Sequence, residues 1–146
     1  MVRKLDAEDR WAIVETLSLH GHFPTGARWT GLRTSSPRRS FTTSGLRGVG
    51  TFEGIEAVRN GALKLGAGNP VAHHVTNVVM ASEEDDLVTE RSKGLMIMTD
   101  GTIGSVTHLD TLRRFQDGWR ISHRVIRSQG TPMNGAYIAG EAGEQS

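Results

Sequence analysis

Residues 72–80 read AHHVTNVVM. Valines interleaved with polar residues read as a strand, on which side chains point alternately to the two faces, so His73, Val75, Asn77 and Val79 share one face and His74 turns to the other. Three similar runs follow. Residues 72–82 form the first predicted strand, and the acidic run Glu83, Glu84, Asp85, Asp86 closes it. Residues 87–99 form the second, closed by Asp100-Gly101, the composition of a two-residue hairpin. Residues 103–115 form the third and residues 119–127 the fourth, with Gln116-Asp117-Gly118 between them. Connections this short join antiparallel neighbours, so the C-terminal half is expected to be a meander.

Upstream the pattern changes from period 2 to helical. Asp6 is a good N-cap for a helix over residues 6–21, with Glu8 and Asp9 in the first turn, where the helix dipole favours acids. Trp11, Val14 and Leu17 form a stripe with Ile13 beside it, and Gly21 is a natural stop. GTFEG at 50–54 reads as a short strand or turn. A second helix is expected over residues 55–65, with Ile55, Val58, Ala62 and Leu65 on one side, ended by Gly66, Gly68 and Pro70. Helices covering a long antiparallel sheet define an α+β domain. If the sheet curves strongly around a helix, the result is a cone-shaped barrel with an interior pocket. The domain spans residues 1–129, and residues 130–146, ending in GEAGEQS, are expected to be a flexible tail.

Composition narrows the function. A chain of 146 residues is long enough for one domain with a sizeable core. A net charge of +1 gives no reason to expect a nucleic-acid or membrane partner. The absence of cysteine rules out disulfides, thiolate zinc sites and thiol nucleophiles. MVRKLDAEDR has no apolar signal core, and no run approaches a membrane span, so a cytoplasmic setting is expected. No Gly-rich phosphate loop or G-x-S-x-G elbow is present.

The strand faces supply candidates for chemistry. His108 and Asp110 share a face of the third strand with Val106 and Leu112, and Trp119, Ile121 and His123 share one on the fourth. A histidine and a carboxylate converging in an apolar pocket can exchange protons near neutral pH. His73, His108 and Asp110 are therefore the catalytic candidates, and Asn77, His20 and Trp11 the substrate-binding ones. The alternative for Asp110 is a cross-strand salt bridge with an arginine, and for His73 a strand-edge cap. His73, His108 and Asp110 could also form a three-residue metal site, but neither metal nor cofactor is expected.

In order, the acid-capped helix, FEGIEAVR at 52–59, HHVTNVV at 73–79 and the meander ending DGWRISHRVIR at 117–127 resemble the SnoaL-like branch of the nuclear transport factor 2-like superfamily. That group includes polyketide cyclases, scytalone dehydratase, ketosteroid isomerase and limonene epoxide hydrolase. The resemblance implies a cone-shaped barrel, often a homodimer through the sheet, whose apolar pocket transfers protons on a small polyketide- or steroid-like substrate without a cofactor. His73 and Asn77 stand at the family's H-x-x-x-N strand. Asp110 stands at its pocket carboxylate, His108 replaces a tyrosine two residues earlier, and His20 falls near a tyrosine late in the first helix. The aspartate the family has a little further on is replaced by Pro24-Thr25-Gly26. The resemblance also leaves room for a non-catalytic ligand-binding or dimerisation module of the same fold.

Residues 23–45 fit neither period. They carry Arg28, Arg33, Arg38 and Arg39 with Pro24, Pro37 and many Ser and Thr, but no acid. Such runs arise when GC-rich codons are read out of frame. A permitted reading two nucleotides later gives a helix-like acid–apolar pattern, then a β-rich run, and restores an aspartate. On that reading the segment is frame-shifted, and the chain should be irregular there and missing one pocket wall.

Overall fold

A computed structural model describes residues 4–22, 42–46, 50–84 and 86–130. Helix α1 spans Ala7–His22. Strands β1 (Thr42–Leu46) and β2 (Gly50–Glu53) precede helix α2 (Gly54–Leu65) and a short 3-10 turn, Gly66–Gly68. The meander is β3 (Ala72–Glu84), β4 (Leu87–Ile97), β5 (Ile103–Phe115) and β6 (Gly118–Ser128). All six strands join one sheet in the order β2-β1-β6-β5-β4-β3. Every pairing is antiparallel except β1 with β6. The fold is the expected α+β arrangement of helices on a curved, mainly antiparallel sheet, and the sheet stays open between its edges β2 and β3.

Asp6 caps α1 as expected, its Oδ1 accepting from the Asp9 backbone N–H at 2.8 Å. The buried face differs from the expected stripe. It is Asp9, Ile13, Thr16, Leu17 and His20, while Trp11 is 72% exposed. The face turns because Asp9 is committed to the sheet. Arg114 of β5 donates to both its carboxylate oxygens at 2.6 Å, and Trp119 Nε1 donates to Oδ1 at 3.2 Å. The Arg114 guanidinium lies 4.5 Å over the Trp119 ring. Thr16 adds a hydrogen bond to the Trp119 carbonyl. These contacts fix which side of α1 meets the core of Leu5, Ile13, Leu17, Val88, Leu112, Trp119 and Ile121.

Helix α2 ends at Gly66, whose N–H returns to the Ala62 carbonyl, and the Asn69 side chain donates to both the Ala62 and Gly66 carbonyls. The Asp100-Gly101 hairpin is a three-residue loop, not the expected two-residue one. Gly101 N–H bonds the Met98 carbonyl, Met98 N–H bonds that of Thr102, and only Gly101 has a positive φ. The two-residue connection is Gln116-Asp117, between paired Phe115 and Gly118.

Within the meander, three irregularities bend the sheet and reset its faces. Strand β3 carries two extra residues, one between Thr76 and Val79 and one between Met80 and Ser82. Strand β6 carries one opposite the Thr111–Leu112 step. Strand β1 also corrects the expectation of irregular chain over residues 23–45, since residues 42–46 pair with both β2 and β6 through their backbone. The rest of that expectation, at residues 23–41, lies outside the described residues, as do residues 131–146 of the expected tail.

Candidate active site

The face of the sheet beneath α1 carries more ionisable groups than a core normally holds. Across three neighbouring strands, Glu90, Asp110 and Arg124 stand in one row, and Ser92 pairs with His108 in the next. All five are buried. His20 comes from the last turn of α1 and His73 from the start of β3. They are brought together because α1 ends directly on β3: a Cβ at Gly21 would lie 2.6 Å from the His73 carbonyl oxygen.

A second glycine shapes the histidine pair. A Cβ at Gly94 would sit 2.7 Å from His108 Cε1. The bare backbone of β4 lets the His108 ring lean across it toward β3, where it meets His73 edge-on with ring centroids 5.4 Å apart. His73 Nε2 and both His108 ring nitrogens are buried with no hydrogen-bond partner.

Arg124 controls the electrostatics. Its Nε donates to Asp110 Oδ1 at 2.8 Å and its Nη2 to Oδ2 at 2.6 Å, a bidentate pair with Arg124 4% exposed. Burial opposes the guanidinium charge, but Asp110 and Glu90 more than offset this and raise its pKa. The three histidines are neutral. Burial, followed by the Arg124 charge, lowers His73 to about 4 and His108 to about 2, and the same two causes hold His20 well below its ordinary value. Glu90 moves the other way. Burial and the Asp110 charge raise it to about 8; a loose side-chain contact with Ser92 and the Arg124 charge oppose this, and a loose side-chain contact with Asp110 adds to it.

Of the sequence candidates, the structure gathers His20, His73, His108 and Asp110 on this face and separates Asn77 and Trp11 from it. Asn77 is exposed, has φ 54° at the first β3 irregularity, and accepts a hydrogen bond from its neighbour Thr76. The irregularity hands the inward positions to Val78 and Met80. Asp110 forms the cross-strand salt bridge rather than standing free beside a histidine. The extra residue in β6 turns His123 outward and Arg124 inward, so sequence alternation alone missed Arg124. Glu90 and Ser92 were legible as alternate residues on a strand with Val88, but nothing local marked them as different from solvent-facing polar residues. Among the described residues, no group of three or more His, Asp or Glu is arranged to hold a metal ion. No described helix is long and apolar enough to cross a membrane. On the opposite face of the sheet, Val79, Thr89, Leu109, His123 and Val125 line an open groove of about 620 Å³.

A helix laid along the inner face of a curved antiparallel sheet, with buried polar groups between them, defines a nuclear transport factor 2-like, cystatin-like domain. A model of the SnoaL-like domain family matches residues 6–125, and the chain belongs to that family. Similar solved structures include a cystatin-like-fold protein of unknown function from Nostoc punctiforme, with a TM-score of 0.73 and 19% identity over 88% of this chain and 96% of that one. Another is a hexachlorocyclohexane dehydrochlorinase from Novosphingobium barchaimii, with a TM-score of 0.68 and 18% identity over 88% and 92%. A third, titled a putative scytalone dehydratase from Novosphingobium aromaticivorans, has a TM-score of 0.67 and 16% identity over 84% and 85%. At these identities the likeness concerns the fold. Among curated proteins none matches the chain.

Proposed function

We propose that the protein is a cofactor-free lyase or isomerase, of the cyclase or dehydratase type, acting by proton transfer on a small apolar polyketide- or steroid-like substrate, with His73 as the base. The observation that carries this reading is the neutral, half-buried His73 imidazole, whose Nε2 is buried without a partner and which stands under the influence of the Arg124 charge. An imidazole of low pKa is free at every physiological pH but accepts protons weakly. It can deprotonate carbon only where the resulting negative charge is stabilised, and Arg124 supplies a fixed positive charge for this. Asp110 holds Arg124 in place, and His108 orients the His73 ring. The related structures named for dehydrochlorination and dehydration support the class of chemistry, elimination begun by proton abstraction. A cytoplasmic setting and a homodimer through the groove-bearing outer face belong to the same proposal.

The test is turnover of hexachlorocyclohexane, scytalone and a 3-oxo-Δ5-steroid by the purified chain. Turnover of one of them should fall by about 10²–10⁴-fold in His73→Gln, with unchanged circular dichroism. Binding without turnover in the wild type would favour a non-catalytic ligand-binding module instead.

A further inference from the structure

The outer face of the sheet takes no part in the chemistry above. It carries Arg91 and Lys93 of β4, Arg113 of β5, and Arg120 and Arg127 of β6, on the side away from the buried row. The register sets Lys93, Thr107 and Arg127 in one row, and Arg91, Leu109 and Val125 in the next. No outward position of these three strands holds a carboxylate, since Glu90 and Asp110 point inward. On β3 the described carboxylate is Glu84, level with Leu87 at the end of the face away from Gly130. Arg120 pairs with Asp117 of the adjoining turn, but among the described residues none of Arg91, Lys93, Arg113 and Arg127 pairs with a carboxylate. Lys93 Nζ donates instead to Thr107 Oγ1 at 2.7 Å and Gln129 Oε1 at 3.3 Å. Between the cations the face is apolar: Val79, Leu109 and Val125 line the groove of about 620 Å³, and Val79 is 52% exposed.

In the homodimer proposed above this face meets its own copy. Any two-fold arrangement then sets cation against cation and leaves a groove facing a groove. The face needs a cover that is both acidic and apolar, and the chain carries one. Residues 131–146, TPMNGAYIAGEAGEQS, hold Glu141 and Glu144, the large apolar side chains of Met133, Tyr137 and Ile138, and no Lys, Arg or His. The segment begins at the edge of this face, where the Gln129 N–H bonds the Ser105 carbonyl and the Gln129 side chain accepts from Lys93. Its 16 residues reach up to about 50 Å at about 3.3 Å each, against about 36 Å for the 11 residues of β6.

We propose that the segment 131–146 docks on the outer face of the sheet, with Tyr137 and Ile138 in the groove and its acids against the cations of β4 and β5. It thereby supplies the counter-charges that two copies need in order to pair, and in this respect it rests on the homodimer reading. The order of residues along the segment matches the order of rows on the face. A chain that turns back at Gly130 first passes Lys93, Thr107 and Arg127, then the groove row of Arg91, Leu109 and Val125, and last the row of Leu87, Arg113 and Arg120. Met133 comes first along the segment, Tyr137 and Ile138 next, and Glu141 and Glu144 after them. The apolar pair therefore falls at the groove, and Glu141 falls at the Arg113 end.

The experiment uses the full chain in two measurements. Sedimentation velocity at low salt, where screening is weak, gives the dimer dissociation constant of four proteins. It should rise at least about tenfold in Glu141→Lys/Glu144→Lys and in Arg91→Glu/Arg113→Glu, and the combination of all four substitutions should return to within about threefold of wild type. The second measurement uses the absence of native cysteine. A short bismaleimide should link Ile138→Cys to Val79→Cys, read by mass spectrometry, but not Ile138→Cys to Trp11→Cys on the exposed side of α1. Unchanged dimerisation in either charge-reversed protein, no recovery in the combination, or no preference for position 79 over position 11 would each overturn the proposal. A wild type that is monomeric yet still crosslinks selectively at position 79 would end the homodimer reading and uphold the docked segment. Dimerisation that is insensitive to Glu141 and Glu144 would leave the homodimer reading standing and refute this one.

Discussion

Replacing Asp110 by Asn probes how the buried row shares its charge. The simple expectation is a loss of about 3–5 kcal/mol, the usual effect of stranding a buried arginine. Glu90 changes that expectation. In the wild type it is held as the acid up to about pH 8, against an ordinary value of 4.5. Keeping it protonated at pH 7 costs roughly 3 kcal/mol, at about 1.4 kcal/mol per unit between 4.5 and 7. Once Asp110 is neutral, the first charge repelling the Glu90 carboxylate is gone and Arg124 lacks a counter-ion. Glu90 then ionises and takes over, so Asp110→Asn should cost only about 1–2 kcal/mol. Glu90→Gln alone should be neutral or stabilising at pH 7. The double variant strands Arg124 and should lose the full 3–5 kcal/mol, at least about 1 kcal/mol more than the sum of the singles. Urea unfolding at pH 7, followed by circular dichroism and by tryptophan fluorescence, measures all four proteins. Additivity within about 0.5 kcal/mol would show that the two carboxyls do not share Arg124 and would refute the reasoning.

Gly94→Ala should push the His108 ring off β4, because its new Cβ would lie 2.7 Å from His108 Cε1 and from Val106 Cγ2. We expect a loss of about 1–3 kcal/mol and a drop in any His73-dependent turnover, checked by thermal unfolding and kinetics, whereas unchanged values would mean that the ring has other room. The stability profile should peak near pH 6.5. His20, His73 and His108 have folded values below 6.5, so the unfolded chain takes up their protons first and the stability they hold above pH 6.5 is lost as pH falls. Glu90 has a folded value above its unfolded one, so its share is complete below about pH 4.5 and is lost as pH rises through about 8. Chemical denaturation across that range would show the peak, and a profile flat from about pH 4.5 to 8 would contradict it. Sequencing the gene should find compensating insertions or deletions near codons 22–24 and 44–48; a clean read with no open alternative frame there would remove the frame-shift reading.

The sequence by itself determined the order of the elements, the meander and the α+β class. Each is written in adjacent residues: the valine-rich, strand-forming runs at 72–80 and 103–115, the acids that open α1, the glycines that close α2. It also placed His108 and Asp110 together on the inner face, because β5 runs without an irregularity and strict alternation holds. Only the tertiary structure decided which other side chains join them. The extra residues in β3 and β6 depend on pairing with β4 and β5, and one such residue sends every later side chain to the other face. That is why Asn77 and His123 leave the site and Arg124 enters it. The side of α1 that faces the sheet was likewise settled by Asp9 meeting Arg114 and Trp119, residues more than a hundred positions away. The chemical state of the site came last of all. Whether a carboxyl or an imidazole carries a charge depends on what surrounds it, and for Glu90 and His73 the burial and the Asp110–Arg124 pair that set that state exist only once the strands are assembled.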